Sequence, residues 1–314
     1  ANGKFVAERD NDPGLYFDFR FAHTFAIAGT YTLELRDSRF KASEHHKYVL
    51  RVGKFPPVRV GLTTTDGKLL LPELGTRAAL EPRVGERFVT FKRPGDIGSA
   101  WLPVLPGDGP VTLARPFDAN RTAAVEQSAS PATTFAFHLS PFRANPFLAL
   151  ERNFATGRFQ PTLAAIPGTL VGTISPSSPG TAFTFRMDKG QKIYVRGQAQ
   201  SLNSPADLEL TIVDKNGREQ RRANAERGEV NFDFAAGNPG EYGLVVRDLQ
   251  RDGGPSFAFQ ATVRSDPFPP KLAADVEGLT VPQGSYQPVP IAVVRSGTAG
   301  PIALKLVDAP PGLT

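Results

Sequence analysis

Between Pro167 and Val263 the chain reads PGTLVGTI, FTFRMDKGQKIYVRG, SPADLELTIVDKNG, GEVNFDFAAGNPGEYGLVVRD and GGPSFAFQATV, alternating apolar with polar residues in runs closed by Gly, Pro, Asn or Asp. A period of two puts every second side chain on one face of a strand, so such a stretch has to bury that face against another layer. Tyr242, Leu244 and Val246 share one face, for example, and Glu241, Gly243, Val245 and Arg247 the other. No amphipathic helical period persists beyond about two turns. With 30 Gly and 29 Pro against one Met and one Trp, the chain is turn-rich and all-β.

Part of this pattern occurs twice. Asn2-Gly3-Lys4, Phe17-Asp18-Phe19, Gly29-Thr30-Tyr31, Arg36-Asp37 and Phe55-Pro56-Pro57 return as Asn216-Gly217-Arg218, Phe232-Asp233-Phe234, Gly240-Glu241-Tyr242, Arg247-Asp248 and Phe268-Pro269-Pro270, at offsets of 214, 215, 211, 211 and 213. Tyr31, Leu33 and Leu35 match Tyr242, Leu244 and Val246, while Tyr48, Leu50 and Val52 match Phe259, Ala261 and Val263. Such an internal repeat predicts the same buried faces in both copies. Nothing ahead of Ala1 corresponds to residues 167–215, so residues 1–54 are expected to be a fragment with unpaired strand edges and an uncovered apolar face.

The stretch from Pro167 to Val263 resembles the bacterial pre-peptidase C-terminal domain, an antiparallel β-sandwich of secreted multi-module proteins. The resemblance is carried by Phe183 and Phe185 after a Pro-Gly turn, the Lys189-Gly190-Gln191 turn, Ser204-Pro205 with Asp207, Asn216-Gly217, Gly240-x-Tyr242 with Arg247-Asp248, and Gly253-Gly254-Pro255. It implies a jelly-roll sandwich outside the cell with no chemistry of its own. In calcium-binding members the segment before the first strand carries alternating Glu and Asn, and the turn before the aromatic pair carries Asp. Glu151 and Asn153 match part of this, but Ala149 and Phe154 flank them and Thr181-Ala182 replace the aspartates. A hard cation needs more oxygen ligands and charge than that, so neither a strong calcium site nor any other cofactor is expected.

Four modules follow: residues 1–57 as the second half of such a sandwich, 58–148 as an immunoglobulin-like β module, 149–266 as the complete sandwich, and 267–314 as the start of another immunoglobulin-like domain. The fold class is therefore all-β, with tandem antiparallel sandwiches. In residues 58–148 the strand candidates are 58–62, 68–71, 87–92, 111–113 and 133–139, separated by Pro-Gly and Gly-Asp turns. Both Phe-Pro-Pro motifs read as linkers, because proline withdraws a ladder donor and fixes φ. The chain reads as part of something longer, with any export signal upstream.

Cysteine is absent, which excludes disulfides and thiolate chemistry, and no run approaches the ~18 apolar residues of a membrane helix. The net charge is +5, and Lys215, Arg218, Arg221, Arg222 and Arg227 cluster. Asp214, Glu219, Glu226 and Glu229 are interspersed and aromatic platforms are missing, so a solvated loop is expected rather than a nucleic-acid surface.

Catalytic motifs are missing: no Gly-x-Ser-x-Gly, His-Glu-x-x-His or Gly-x-Gly-x-x-Gly occurs. His45-His46 are adjacent, hence on opposite faces of a strand, and cannot share a metal without a bulge. Asp10 and Asp12 lie in Glu-Arg-Asp-Asn-Asp-Pro-Gly, a composition that a turn explains. Trp101 could stack against a sugar, but a lone Trp is on average well buried, and interior packing is the expectation. The functional expectation is a monomeric, non-catalytic spacer or binding region of a large secreted or cell-surface bacterial protein. It would contact an extracellular protein or polysaccharide or other domains of its own chain. The alternative is the ancillary part of a secreted peptidase or other hydrolase whose catalytic domain lies outside this chain.

Overall fold

The computed structural model describes residues 5–12, 19–37, 40, 47–64, 66–78, 88–105, 107–114, 162–174, 180–226, 228–274, 280–296 and 300–305. Its strands are β1 (Leu62–Thr63), β2 (Leu69–Leu71), β3 (Thr76–Ala78), β4 (Phe88–Phe91), β5 (Ala100–Pro103), β6 (Val111–Leu113), β7 (Thr162–Leu163), β8 (Gly168–Thr173) and β9 (Thr181–Met187). They continue as β10 (Lys192–Gln198), β11 (Leu208–Asp214), β12 (Glu219–Asn224), β13 (Glu229–Ala235), β14 (Gly240–Asp248), β15 (Ala258–Arg264), β16 (Phe268–Ala274) and β17 (Ile291–Ser296). The chain is all-β.

Two five-stranded sheets, β13-β10-β15-β8-β6 and β12-β11-β14-β9-β7, face each other. The alternation seen in the sequence sends Leu170, Ile193, Val195, Val230, Phe259, Ala261 and Val263 inward from the first sheet. Phe183, Phe185, Leu208, Leu210, Ile212, Leu244 and Val246 meet them from the second. Phe183 and Phe259 pack edge to face across the core, with centroids 6.1 Å apart. Gly197 lies where side chains from the facing sheet come closest: a Cβ there would stand 2.7 Å from Leu210 Cδ1.

The connectivity decides how the two halves depend on each other. From β8 to β15 the chain changes sheet at every connection except the β11–β12 hairpin. Among β8 to β15 the ladders are β12 on β11, β13 on β10, β14 on β11 and β9, and β15 on β10 and β8. Each thus joins a strand of 168–214 to a strand of 219–264. Neither half pairs with itself.

The same rule accounts for the first copy of the repeat. The expected strands do not form there: among the described residues of 5–55 none is in a strand. Strands β12 to β15 of the second copy find all their ladder partners in residues 168–214, and the first copy has no such stretch beside it in the described structure. Its apolar residues consequently face solvent. Leu33 is 52 % exposed where Leu244 is 0 %, Tyr48 73 % where Phe259 is 0 %, and Val52 75 % where Val263 is 1 %. One local feature is nevertheless common to both copies. Tyr31 donates its hydroxyl to the Ile27 carbonyl at 2.7 Å, and Tyr242 donates to the Asn238 carbonyl at 2.8 Å, each four residues back.

Ahead of the sandwich, β1-β2-β3 form one small sheet and β4-β5 a hairpin. They enclose Val58, Leu69, Leu71, Val89, Ala100 and Leu102. This unit shares a second cluster with the sandwich, in which Val60 and Leu62 pack with Val171, Leu202 and Ala258. β6, which falls in the stretch read as a separate module, runs parallel to β8 as the edge strand of the sandwich. The second Phe-Pro-Pro is also more than a linker. It opens β16, whose register against β17 shifts between Phe268 and Lys271, so the prolines sit at an irregularity where no ladder donor is required. Phe268 is buried beneath two guanidinium groups, those of Arg196 and Arg264, at 4.1 and 5.6 Å from its ring.

Candidate functional site

β4 and β5 pair with Thr90 opposite Trp101 and Val89 opposite Leu102. Because Ala100, Leu102 and Val89 face the small core, period two places Trp101, Thr90 and Phe88 on the outer face. Trp101 is 49 % exposed, which corrects the expectation that it packs in the interior. Its neighbours Ala100 and Leu102 are buried, and in the all-apolar run Ala-Trp-Leu-Pro no sequence signal told the outward position from the inward ones. Phe88, diagonal to it on the same face, is also exposed.

Residues 51–55 run beside this hairpin. Arg51 donates from Nη2 to the Ser99 carbonyl at 2.7 Å, and the Ile97 amide donates to the Lys54 carbonyl at 3.0 Å. The guanidinium lies 4.4 Å from the Phe55 ring and 5.6 Å from the Trp101 ring, within range of a cation–π attraction to each. Gly98 leaves room for Phe55, since a Cβ there would come within 2.1 Å of the ring. Sequence reasoning missed Arg51 and Phe55, taking Phe55 as part of a joint.

The loop beneath the patch is held by Asp96. Its carboxylate accepts from the Arg93 amide at 3.1 Å, from Arg93 Nε at 3.0 Å and from Nη2 at 3.3 Å. Arg93's side-chain hydrogen bonds hold the Asp96 carboxyl below its usual value against the opposing effect of burial. A carboxylate depressed on folding contributes stability that is present above the unfolded value, about 3.9, and is lost as pH falls through the folded one. Trp101 is the chain's one tryptophan and reports on this loop. Its emission is expected to hold steady down to about pH 4 and to shift below it. Asp96→Asn should flatten that acid transition; an unchanged profile would remove Asp96 from the account.

The other buried carboxylates are engaged by donors. Asp12, fully buried, meets Arg59 Nη2 at 3.0 Å and Arg20 Nε at 3.7 Å. Glu209 is reached by Arg251 at 3.0 Å, Arg222 at 3.7 Å and the buried Arg247 at 3.8 Å. Burial pulls Arg247 down to about 10. Asp248 accepts from the amides of Asp207, Gln250 and Asp252 at 2.8, 2.9 and 3.1 Å. The Arg247-Asp248 motif thus ties loops to the sheet. The turn expected around Asp10 and Asp12 runs into residues outside those described, but the Asp12 carboxylate is buried and is the point at which residues 5–12 are held to residue 59.

Glu151 and Asn153 lie outside the described residues, as do His45, His46 and His138. Thr181 donates to the Thr173 carbonyl at 2.9 Å. His23 packs edge-on to Phe25 at 4.9 Å. Among the described residues no group of three or more His, Asp or Glu is placed to hold a metal ion, and no helix is long and apolar enough to cross a membrane. The basic cluster is solvated as expected, but residues 219–224 form an edge strand rather than a loop. Charges there discourage pairing with another chain. Arg222 pairs with Glu219 and Glu209, and Arg227 lies outside the described residues.

No family model matches the chain, and no curated protein matches it. Among solved structures it is similar to the pre-peptidase C-terminal domain of a collagenase from Bacillus anthracis, at 15 % identity and TM-score 0.28, over 33 % of this chain and 95 % of that one. It is also similar to the catalytic domain with two CBM51 domains of Clostridium perfringens ZmpB, at 12 % identity and TM-score 0.22, over 30 % of this chain and 11 % of that one. A third similar structure is Aeromonas hydrophila PliG, a periplasmic inhibitor of g-type lysozyme, at 11 % identity and TM-score 0.22, over 33 % of this chain and all of that one. Likenesses of this degree say nothing about function.

Proposed function

We propose that this chain is a non-catalytic binding and spacer region of a large secreted or cell-surface protein, and that it contacts an extracellular polysaccharide through the patch around Trp101. The observation that carries the reading is the half-exposed indole of Trp101 on the outer face of β5, with Phe88 beside it and Arg51 across its ring. An indole face accepts the C–H face of a pyranose. The ring is stiff, so little side-chain freedom is lost on contact. Arg51 adds donors suited to hydroxyl or carboxylate oxygens. The engaged state of Asp12, Asp96, Glu209 and Asp248 supports a role without proton transfer, because a carboxylate saturated by donors is poorly placed to act as a base.

The test is retention of the purified protein on insoluble chitin, cellulose and collagen. Retention on a polysaccharide is expected, with Trp101→Ala weakening it by roughly tenfold, the equivalent of about 1.4 kcal/mol. Binding to collagen alone would move the reading to a protein ligand. Failure on all three would reduce the chain to a spacer, and retention untouched by Trp101→Ala would remove the patch.

A further inference from the structure

The segments that build the surface around Trp101 carry charge of one sign. Residues 51–60 and 88–105 hold Arg51, Lys54, Arg59, Lys92 and Arg93 against a single acid, Asp96. That acid is buried and taken up by Arg93 at 3.0 Å, and Arg59 is held by Asp12. Arg51, Lys54 and Lys92 remain, all exposed and none in an ion pair among the described residues. Two of them border the aromatic face. Period two turns Phe88 and Thr90 outward on β4 and makes Lys92 the next outward position. The register that sets Phe91 against Ala100, carried one step further, brings Lys92 beside Ser99. The Ser99 carbonyl accepts from Arg51, whose guanidinium also rests 4.4 Å from the Phe55 ring. The Ser99 bond engages Nη2, so among the described residues Nε and Nη1 keep their donors for a ligand.

We infer that the ligand of this patch is a polyuronate, a polysaccharide whose sugars carry carboxylates. The inference rests on the sugar-binding reading above and names its substrate class. A carboxylate gives the uncompensated cations a charge-assisted partner, which the hydroxyls of a neutral glycan do not. A uronate bears that group on the rim of the pyranose. Its C–H face can therefore lie on the indole while the carboxylate meets the Arg51 fork, with Lys92 and Lys54 left for the carboxylates of neighbouring units. A sulfate ester projects from the ring on a rotatable bond and matches a guanidinium fixed at Ser99 and Phe55 less well. Single-stranded nucleic acid is disfavoured because it tracks a groove lined by successive aromatic platforms, whereas the outer face of β4 and β5 exposes one indole and the phenyl ring of Phe88.

The test titrates the full chain calorimetrically with oligogalacturonate and with its methyl ester, which keeps the sugar faces and removes the charge. The acid form is expected to bind about tenfold more tightly at low salt, the difference between a charged and a neutral hydrogen-bond acceptor. The preference should vanish near 1 M salt, where screening acts over about 3 Å. Arg51→Gln should erase it, and Lys92→Gln, at an exposed position where folding is not at stake, should reduce it in part. Trp101→Ala should weaken both forms alike. Equal binding of the two forms, each sensitive to Trp101→Ala, would overturn the polyuronate inference and leave the sugar patch standing. Binding of neither form would overturn both. A preference that survives high salt or Arg51→Gln would also overturn the inference, as would tighter binding of dextran sulfate or oligothymidylate than of oligogalacturonate.

Discussion

Leu244→Ala is expected to destabilise the protein by about 2–5 kcal/mol, and Leu33→Ala, at the same place in the repeat, by less than about 0.5 kcal/mol. Leu244 is 0 % exposed and lies in the core between the two sheets, where truncation removes packed methyl groups and leaves a cavity. Leu33 has about half its surface in water already, so its truncation removes little burial and opens no void. Urea denaturation followed by far-ultraviolet circular dichroism measures both. Equal losses would mean that the first copy is packed as the second is, and would undo the account of the repeat given above.

Asp12→Ala is expected to cost about 3 kcal/mol, the lower end of the usual range for breaking a buried ion pair, because both arginines retain some contact with water that screens them. Arg59 forks onto the two carboxylate oxygens, at 3.2 Å to Oδ1 and 3.0 Å to Oδ2. Burial lowers the Arg20 value below the ordinary one, with the Asp12 charge opposing that shift, so removing the carboxylate strands a partly desolvated guanidinium. The amides of Arg59 and Val60 donate to Glu73, which also accepts from the Ser256 hydroxyl at 3.0 Å. The same arginine thus lies on the seam between the small unit and the sandwich. Thermal unfolding would register the loss, and proteolysis within residues 5–12 should accelerate in parallel. Asp12→Leu combined with Arg20→Met and Arg59→Met should restore much of the stability, since an apolar cluster leaves no buried charge to compensate. If Asp12→Ala fell within about 0.5 kcal/mol of the parent, the carboxylate would be no anchor.

The sandwich was legible because its signal is local: alternation in β9 to β11 and β13 to β15 names the inward face residue by residue, and the turn residues mark where each strand stops. β4 and β6 were visible for the same reason. β3 and β5 were missed, three and four residues long and without a clear run of alternation. Trp101 was misplaced because average burial was applied to a residue in an all-apolar run, Ala-Trp-Leu-Pro, where only the pairing with β4 over the small core decides which side faces out. The candidate site was hardly legible. Arg51 and Trp101 are fifty residues apart in sequence, and what unites them is a hydrogen bond to the Ser99 carbonyl that leaves no mark on composition.

Alternation and turn chemistry act between neighbours along the chain, so the residues themselves determined an all-β protein, the inward faces of its strands and the existence of two matched segments. Which of those segments became a sheet was decided in three dimensions. A ladder needs a partner strand, and every ladder among β8 to β15 joins the first half of the sandwich to its second. The same holds for Asp12, Glu209 and the Trp101 patch, whose donors and ring neighbours come from distant stretches and acquire their roles when packing brings them together.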